Sequence, residues 1–244
     1  MHVLVTRPEP DSLKLVGLLE QHGHEALAAP LSSFVSLGLE AEALEGITGL
    51  VATSRNALRA LVGSDALAAA RNRTVFAVGG ATADEARRMG FSRVVKGPGT
   101  AADLGPLIAS LVDPAEEMLL YLAGDRLAHD LAGELQELGV RVDSRVVYRM
   151  EHARALPLHA VTAIGAHEID AVVLMSQQAA HTWTRLVAAH HLEDSVRDML
   201  HLCLSDAVAR RLAPLGGVEI EAAVRPTLEE MLALVDAAAA KLGE

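Results

Sequence analysis

Arg145-Val146-Val147-Tyr148-Arg149-Met150 decides how this chain is organised. The run is β-branched and aromatic, the composition of a strand. Before it come repeated strand-then-helix units. After it, residues 151–157 are short, polar and Pro-ended, and then the same kind of unit resumes. A second crossing is placed at Pro30-Leu31-Ser32-Ser33-Phe34. These two stretches read as the two strands of a bridge between two domains. Residues 1–33 plus 151–244 form one, discontinuous; residues 35–149 form the other, inserted. Tyr148, one of two tyrosines, sits where the bridge meets the cleft.

Working outward, residues 118–122 read as a strand, 126–138 as a helix stopped by Gly139, and 140–148 as the strand into the bridge. Earlier units are 49–53 with helix 56–62, 73–78 with helix 81–89, and strand 94–95 followed by the turn 97–99. Thr100 with Asp103 three residues on has the spacing of a helix cap, and the helix runs to about residue 111. The N-terminus reads as strand 2–6, helix 11–21 with Gly23 as its stop, and strand 25–29. Beyond the bridge come helix 156–165, strand 170–175, helix 177–189, a short helix at 194–199, strand 202–204, helix 207–212 and strand 218–222. Thr227 with Glu230 caps the last helix. Strands alternating with helices predict parallel α/β sheets.

The units repeat. Residues 50–58 (LVATSRNAL) parallel 172–180 (VVLMSQQAA), and 76–83 parallel 202–209. The unit ending in Gly23 parallels the unit ending in Gly139. Two interleaved copies of one fold give that order.

Lys and Arg number 21 against 32 Asp and Glu, a net charge of −11. That balance argues against nucleic acid and anionic membrane as partners, which need a basic face. Aromatic content of 2% is too low for stacked bases. No apolar run reaches the roughly 18 residues of a membrane span. Residues 1–6 lack the basic start and length of a signal peptide. Cys203 is the only cysteine, so no intrachain disulfide forms and a reducing, cytoplasmic location is expected.

In a parallel sheet, ligands bind beyond the carboxyl ends of the strands. Those positions hold Thr6-Arg7, Thr53-Ser54-Arg55, Gly79-Gly80-Ala81-Thr82, Gly124-Asp125-Arg126, Ser176 and Ser205-Asp206. Most precede helix N-termini, whose free N–H groups and dipole suit carboxylates or phosphates. Each also has a plain reading. Ser54, Thr100, Asp125, Ser176 and Asp206 serve equally as N-caps. Gly79-Gly80 serves as a tight turn; it lacks the third glycine of a dinucleotide fingerprint. Arg7, Arg55 and Arg126 recur at equivalent strand ends, the more telling observation. His22 and His24 flank a helix stop and fall short of a metal's ligand count, so no metal site is expected. No Ser-His-Asp or paired-carboxylate constellation stands out. The chemistry expected is one of positioning, without a strong nucleophile.

These stretches resemble the uroporphyrinogen-III synthase family: Val3-Leu4-Val5-Thr6-Arg7-Pro8, Thr53-Ser54-Arg55-Asn56-Ala57, Val78-Gly79-Gly80-Ala81-Thr82-Ala83, and Leu122-Ala123-Gly124 through Gly139-Val140 to Val147-Tyr148. The resemblance implies two α/β domains joined by a two-stranded ladder, with the site in the cleft between them. It implies that hydroxymethylbilane loses water, its last ring inverts, and the macrocycle closes to uroporphyrinogen III, by way of an azafulvene and a spiro intermediate. No cofactor or metal is implied. Tyr148 matches the family tyrosine proposed to protonate the leaving hydroxyl, Thr82 a cleft threonine, and Ser54 and Ser176 hydroxyl positions. Arg7, Arg55, Gly79, Gly124, Arg126 and Ser205 complete the substrate-binding set. The chain departs from the family at Ser205-Asp206-Ala207-Val208-Ala209, where Val208 replaces a threonine. A monomer is implied, compatible with transient contact with neighbouring enzymes of the pathway. Two other readings stand beside this one. A non-catalytic two-lobed module for an anionic small molecule draws on Val208. A sugar or nucleotide transferase is opposed by the lack of a phosphate loop.

Overall fold

Short runs of Val, Leu and Ala without polar alternation form strands buried on both faces, as a sheet covered by helices on each side requires. The computed structural model describes residues 1–127 and 129–242. The chain opens with β1 (His2–Val5), α1 (Asp11–Gln21) and β2 (Glu25–Ala28), and passes through β3 (Ser32–Ser36). Then come β4 (Gly49–Ala52), α2 (Arg55–Arg59), α3 (Ala66–Ala70), β5 (Thr74–Ala77), α4 (Gly80–Arg88), β6 (Arg93–Lys96), α5 (Ala101–Leu111), β7 (Leu119–Gly124) and α6 (Leu131–Glu137). The long β8 (Val142–His152) leads to α7 (Leu158–Gly165), β9 (Ala171–Leu174), α8 (Gln177–Ala189), β10 (Leu200–Cys203), α9 (Asp206–Ala209), β11 (Glu219–Ala222) and α10 (Leu228–Leu242).

The chain divides into two units. The first is Met1–Ser33 with the chain from Glu151 on; the second is Phe34–Met150. The first carries a sheet in the order β11-β10-β9-β1-β2, the second a sheet in the order β3-β8-β7-β4-β5-β6. The core ladders are parallel. Numbered by its own chain order, the first sheet runs 2-1-3-4-5, a doubly wound layout. The second has the same layout entered at its third position: β7-α6-β8 corresponds to β1-α1-β2, and β4, β5, β6 to β9, β10, β11. α1 and α6 even stop alike, since Gly23 and Gly139 both take φ 83°, a conformation glycine adopts without a Cβ clash.

Each sheet separates two apolar layers. Leu4, Val172, Trp183 and Leu186 pack on one face of the first, and Val3, Leu15, Leu19 and Val235 on the other. In the second, Leu50, Ala57, Leu58 and Val147 lie on one face, and Val51, Leu104, Tyr121 and Leu131 on the other. Among the described residues no helix is long and apolar enough to cross a membrane.

Four local expectations are corrected. Residues 194–198 form turns: a six-residue segment in which few side chains are buried cannot offset helix nucleation. The expected helix 56–62 ends at Arg59, and a second short helix, α3, follows. The expected strand 140–148 continues into the polar residues Glu151 and His152, because backbone pairing is indifferent to side-chain polarity at a sheet margin. The expected helix 126–138 begins at Leu131, where Asp130 accepts from the Gly133 N–H at 3.0 Å. Residue 128, inside that expected helix, lies outside the described residues.

Candidate active site

In the second unit, β4 and β7 are neighbours whose following helices leave on opposite faces: Ala57 and Leu58 of α2 join one layer, Leu131 and Leu135 of α6 the other. Such divergence opens a crevice beyond the strand ends. A hollow of about 310 Å³ lies there, lined among others by Thr53, Ser54, Gly99, Tyr121, Gly124, Arg126, His129 and Tyr148.

Tyr148 reaches this hollow through an irregularity of β8. Ala123 pairs with Val146, but Gly124 pairs with Tyr148, so Val147 is an extra residue. The bulge lets consecutive Val147 and Tyr148 pack on the same layer, which strict alternation forbids. The Asp125 N–H donates to the Tyr148 carbonyl at 3.0 Å. The Tyr148 ring lies on Gly124, where a Cβ would stand 2.8 Å from Cζ and 2.9 Å from the phenol oxygen. Phe34 lies beside the ring, centroids 5.9 Å apart and planes tilted by 32°. Gly124 is therefore glycine because an aromatic ring occupies its side-chain space.

Ser54 caps α2, its Oγ accepting from the Asn56 N–H at 3.1 Å; the hydroxyl keeps its own proton for a ligand. Thr53 Oγ1 lies 3.1 Å from the Tyr121 phenol. Burial, with the neighbouring Tyr148 adding to it, pushes the Tyr121 phenol up, against the Thr53 hydrogen bond. Arg126 is exposed in the loop before α6, and His129 is held by Glu134 at 2.6 Å.

Three nominated residues of this unit do not line the hollow. Arg55 follows Ser54 as the first residue of α2. Gly79 is extended, and its missing Cβ would lie 3.3 Å from Gly99 Cα; it makes room for the turn whose Gly97 and Gly99 donate to Ala77 and Val78. Thr82 is 5% exposed within α4.

The first unit has the equivalent switch between β1 and β9, with α1 and α8 on opposite faces. Thr6 Oγ1 donates to the Val173 carbonyl at 2.7 Å. Arg7 is paired with Asp11 at 2.8 Å, both side chains largely covered. Ser176 caps α8, accepting from Ala179 N–H at 3.0 Å. Ser205 precedes α9 without a side-chain cap bond, and Asp206 occupies the first turn, where a helix favours an acid. Val208 is buried.

The family model described as uroporphyrinogen-III synthase HemD matches residues 14–233. This chain belongs to the uroporphyrinogen-III synthase family. No curated protein sequence matches the chain. Among solved structures, it is similar to uroporphyrinogen-III synthetase from Helicobacter pylori at 19% identity and a TM-score of 0.66, over 96% of this chain and 97% of that one. A mutant uroporphyrinogen III synthase from the extremely thermophilic bacterium Thermus thermophilus is also similar at 19% identity, with a TM-score of 0.54 over 99% of both chains. At that identity the likeness shows a shared fold.

Membership makes the chain a lyase of porphyrin biosynthesis. The departure at Val208 then has a plain cause: its side chain belongs to the apolar layer with Trp183 and Cys203. Sequence reading missed Tyr121 and His129 as lining residues. It also missed the acid facing the two histidines. Asp236 of α10 meets His22 Nδ1 at 2.9 Å and His24 Nε2 at 2.8 Å. Burial raises the Asp236 carboxyl, but these two hydrogen bonds outweigh it and hold it below its ordinary value. Among the described residues no group of three or more such side chains is arranged to hold a metal.

Proposed function

We infer that this chain converts hydroxymethylbilane to uroporphyrinogen III with loss of water and inversion of the last ring. Family membership over residues 14–233 carries the reading. The hollow at the switch between β4 and β7 supplies groups suited to it.

Tyr148 is assigned as the general acid. Its phenol donates a proton to the leaving hydroxyl as the C–O bond breaks and water departs; the pyrrole nitrogen lone pair forms the N-protonated azafulvene, whose N–H proton returns to the phenolate to leave the neutral azafulvene. The ring's seat on Gly124 and the bulge at Val147 support this assignment, since a proton donor must be held in place. Ring attack, fragmentation and re-closure then need a folded substrate. Ser54, Arg126 and Arg55 are assigned to its carboxylates, a pairing in which charged hydrogen bonds are strong. Arg7, Ser176 and Ser205 of the first unit keep a carboxylate-binding assignment, Arg7 as one half of an ion pair with Asp11. Gly79 and Thr82 keep a substrate-binding assignment at the start of α4. The protein is proposed to act as a cytoplasmic monomer.

The test is an isomer assay. Fresh hydroxymethylbilane is incubated with protein, the products are oxidised, and uroporphyrins I and III are separated. Isomer III above the protein-free control supports the reading. Isomer I alone, from folded protein, contradicts it and favours a binding module.

A further inference from the structure

We propose that Tyr121 is a positioning residue that aims the Thr53 hydroxyl into the hollow to bind a substrate carboxylate. The inference rests on the functional reading above and adds residues that reading does not use.

Thr53 and Tyr121 come from neighbouring parallel strands. Ala52 pairs with Leu122, so Thr53 stands just beyond the end of β4 while Tyr121 sits lower on β7. The tyrosine side chain reaches up the strand and places its phenol 3.1 Å from Thr53 Oγ1. Both residues line the hollow that holds Tyr148 and Ser54. Tyr121 is 2% exposed and belongs to the apolar layer with Val51, Leu104 and Leu131, packing that restricts its side chain. Either hydroxyl can donate across this contact; the phenol is the more acidic of the two and the better donor.

The directionality follows. When the phenol donates, Thr53 Oγ1 accepts, and the threonine proton must point elsewhere. The open side is the hollow, so the pair presents one oriented donor. A donor held by a buried partner binds an anion with little reorganisation, and a hydrogen bond to a charged group is among the stronger ones. A carboxylate is the fitting acceptor.

The test uses Tyr121→Phe, Thr53→Val, the double variant and Thr53→Ser in the intact chain, with thermal melts to establish folding. For isomer III formation, Thr53→Val should raise KM by about tenfold to 100-fold, the scale of one hydrogen bond to a charged group, and Tyr121→Phe, which leaves that hydroxyl in place but unaimed, by about fivefold or more. Each should leave kcat within about twofold. The double variant should match Thr53→Val, because Tyr121 acts only through the Thr53 hydroxyl, and Thr53→Ser should restore KM. Dissociation constants for uroporphyrin III, the stable oxidised product, should shift by the same factors. A wild-type KM and Kd in folded Tyr121→Phe, or multiplicative effects in the double variant, would overturn the proposal. If the wild type makes no isomer III while uroporphyrin binding still weakens as stated, the binding role stands and only the reaction assignment falls.

Discussion

At the scale of single residues, two positions carry sharp expectations. Gly124 lies under the Tyr148 ring, and an added Cβ would stand 2.8 Å from it. Gly124→Ala should therefore displace the ring, lower kcat by about tenfold or more through misplacement of the proposed acid, and cost about 1–3 kcal/mol of stability as an overpacked site does. Urea melts beside turnover rates check both; a wild-type kcat would mean the ring is not held by this contact. His201 is fully buried in β10, its Nδ1 at 3.0 Å from the Met199 carbonyl. Burial pushes its pKa down to about 4 from 6.5. The unfolded chain then binds the extra proton first. The contribution of neutral His201 is complete above pH 6.5, erodes as pH falls below it, and is gone near pH 4, on the order of 3 kcal/mol in all. The single tryptophan, Trp183, lies 6.1 Å from the His201 ring and reports unfolding directly. Denaturation followed by its fluorescence at about pH 7 and about pH 4.5, either side of most of that titration, should show the loss. His201→Leu should flatten the slope; an equal slope in the variant would assign it to other groups.

At the scale of elements, what the sequence disclosed depended on how far each interaction reaches. Caps were legible because a side chain bonds its own backbone: Thr100 accepts from Asp103 N–H and Thr227 from Glu230 N–H, as their spacing suggested. Central strands were legible as unbroken apolar runs. The start of α6 was not, since Asp125 and Asp130 compete as caps and only Asp130 has its partner in place. The bulge at Val147 exists only in pairing with β7 and leaves no mark in β8 alone. The same holds for Tyr121 with Thr53, 68 residues apart, and for Asp236 with His24, 212 apart. Asp130 gives a prediction at this scale. Asp130→Ala should cost about 1 kcal/mol, the worth of a cap, and raise KM through the loop that carries Arg126 and His129. A stability change below about 0.3 kcal/mol would deny the cap its role.

At the scale of the whole molecule, the repeat was readable because matched motifs recur in a fixed order. Its permutation was not, because strand order within a sheet depends on pairings between distant segments. Once seen, it relates the strand ends: Ser54 after β4 corresponds to Ser176 after β9, and each caps the following helix. The Tyr148 hollow has no such twin in sequence, for β2, the counterpart of β8, ends at Ala28 without a tyrosine. We propose that turnover passes through that hollow. The most direct test is the single-turnover rate of Tyr148→Phe on fresh hydroxymethylbilane, beside its melting temperature. The expected result is an unchanged melt and a rate lower by about 100-fold or more, the range of general acid catalysis. A folded variant turning over at the wild-type rate would contradict it.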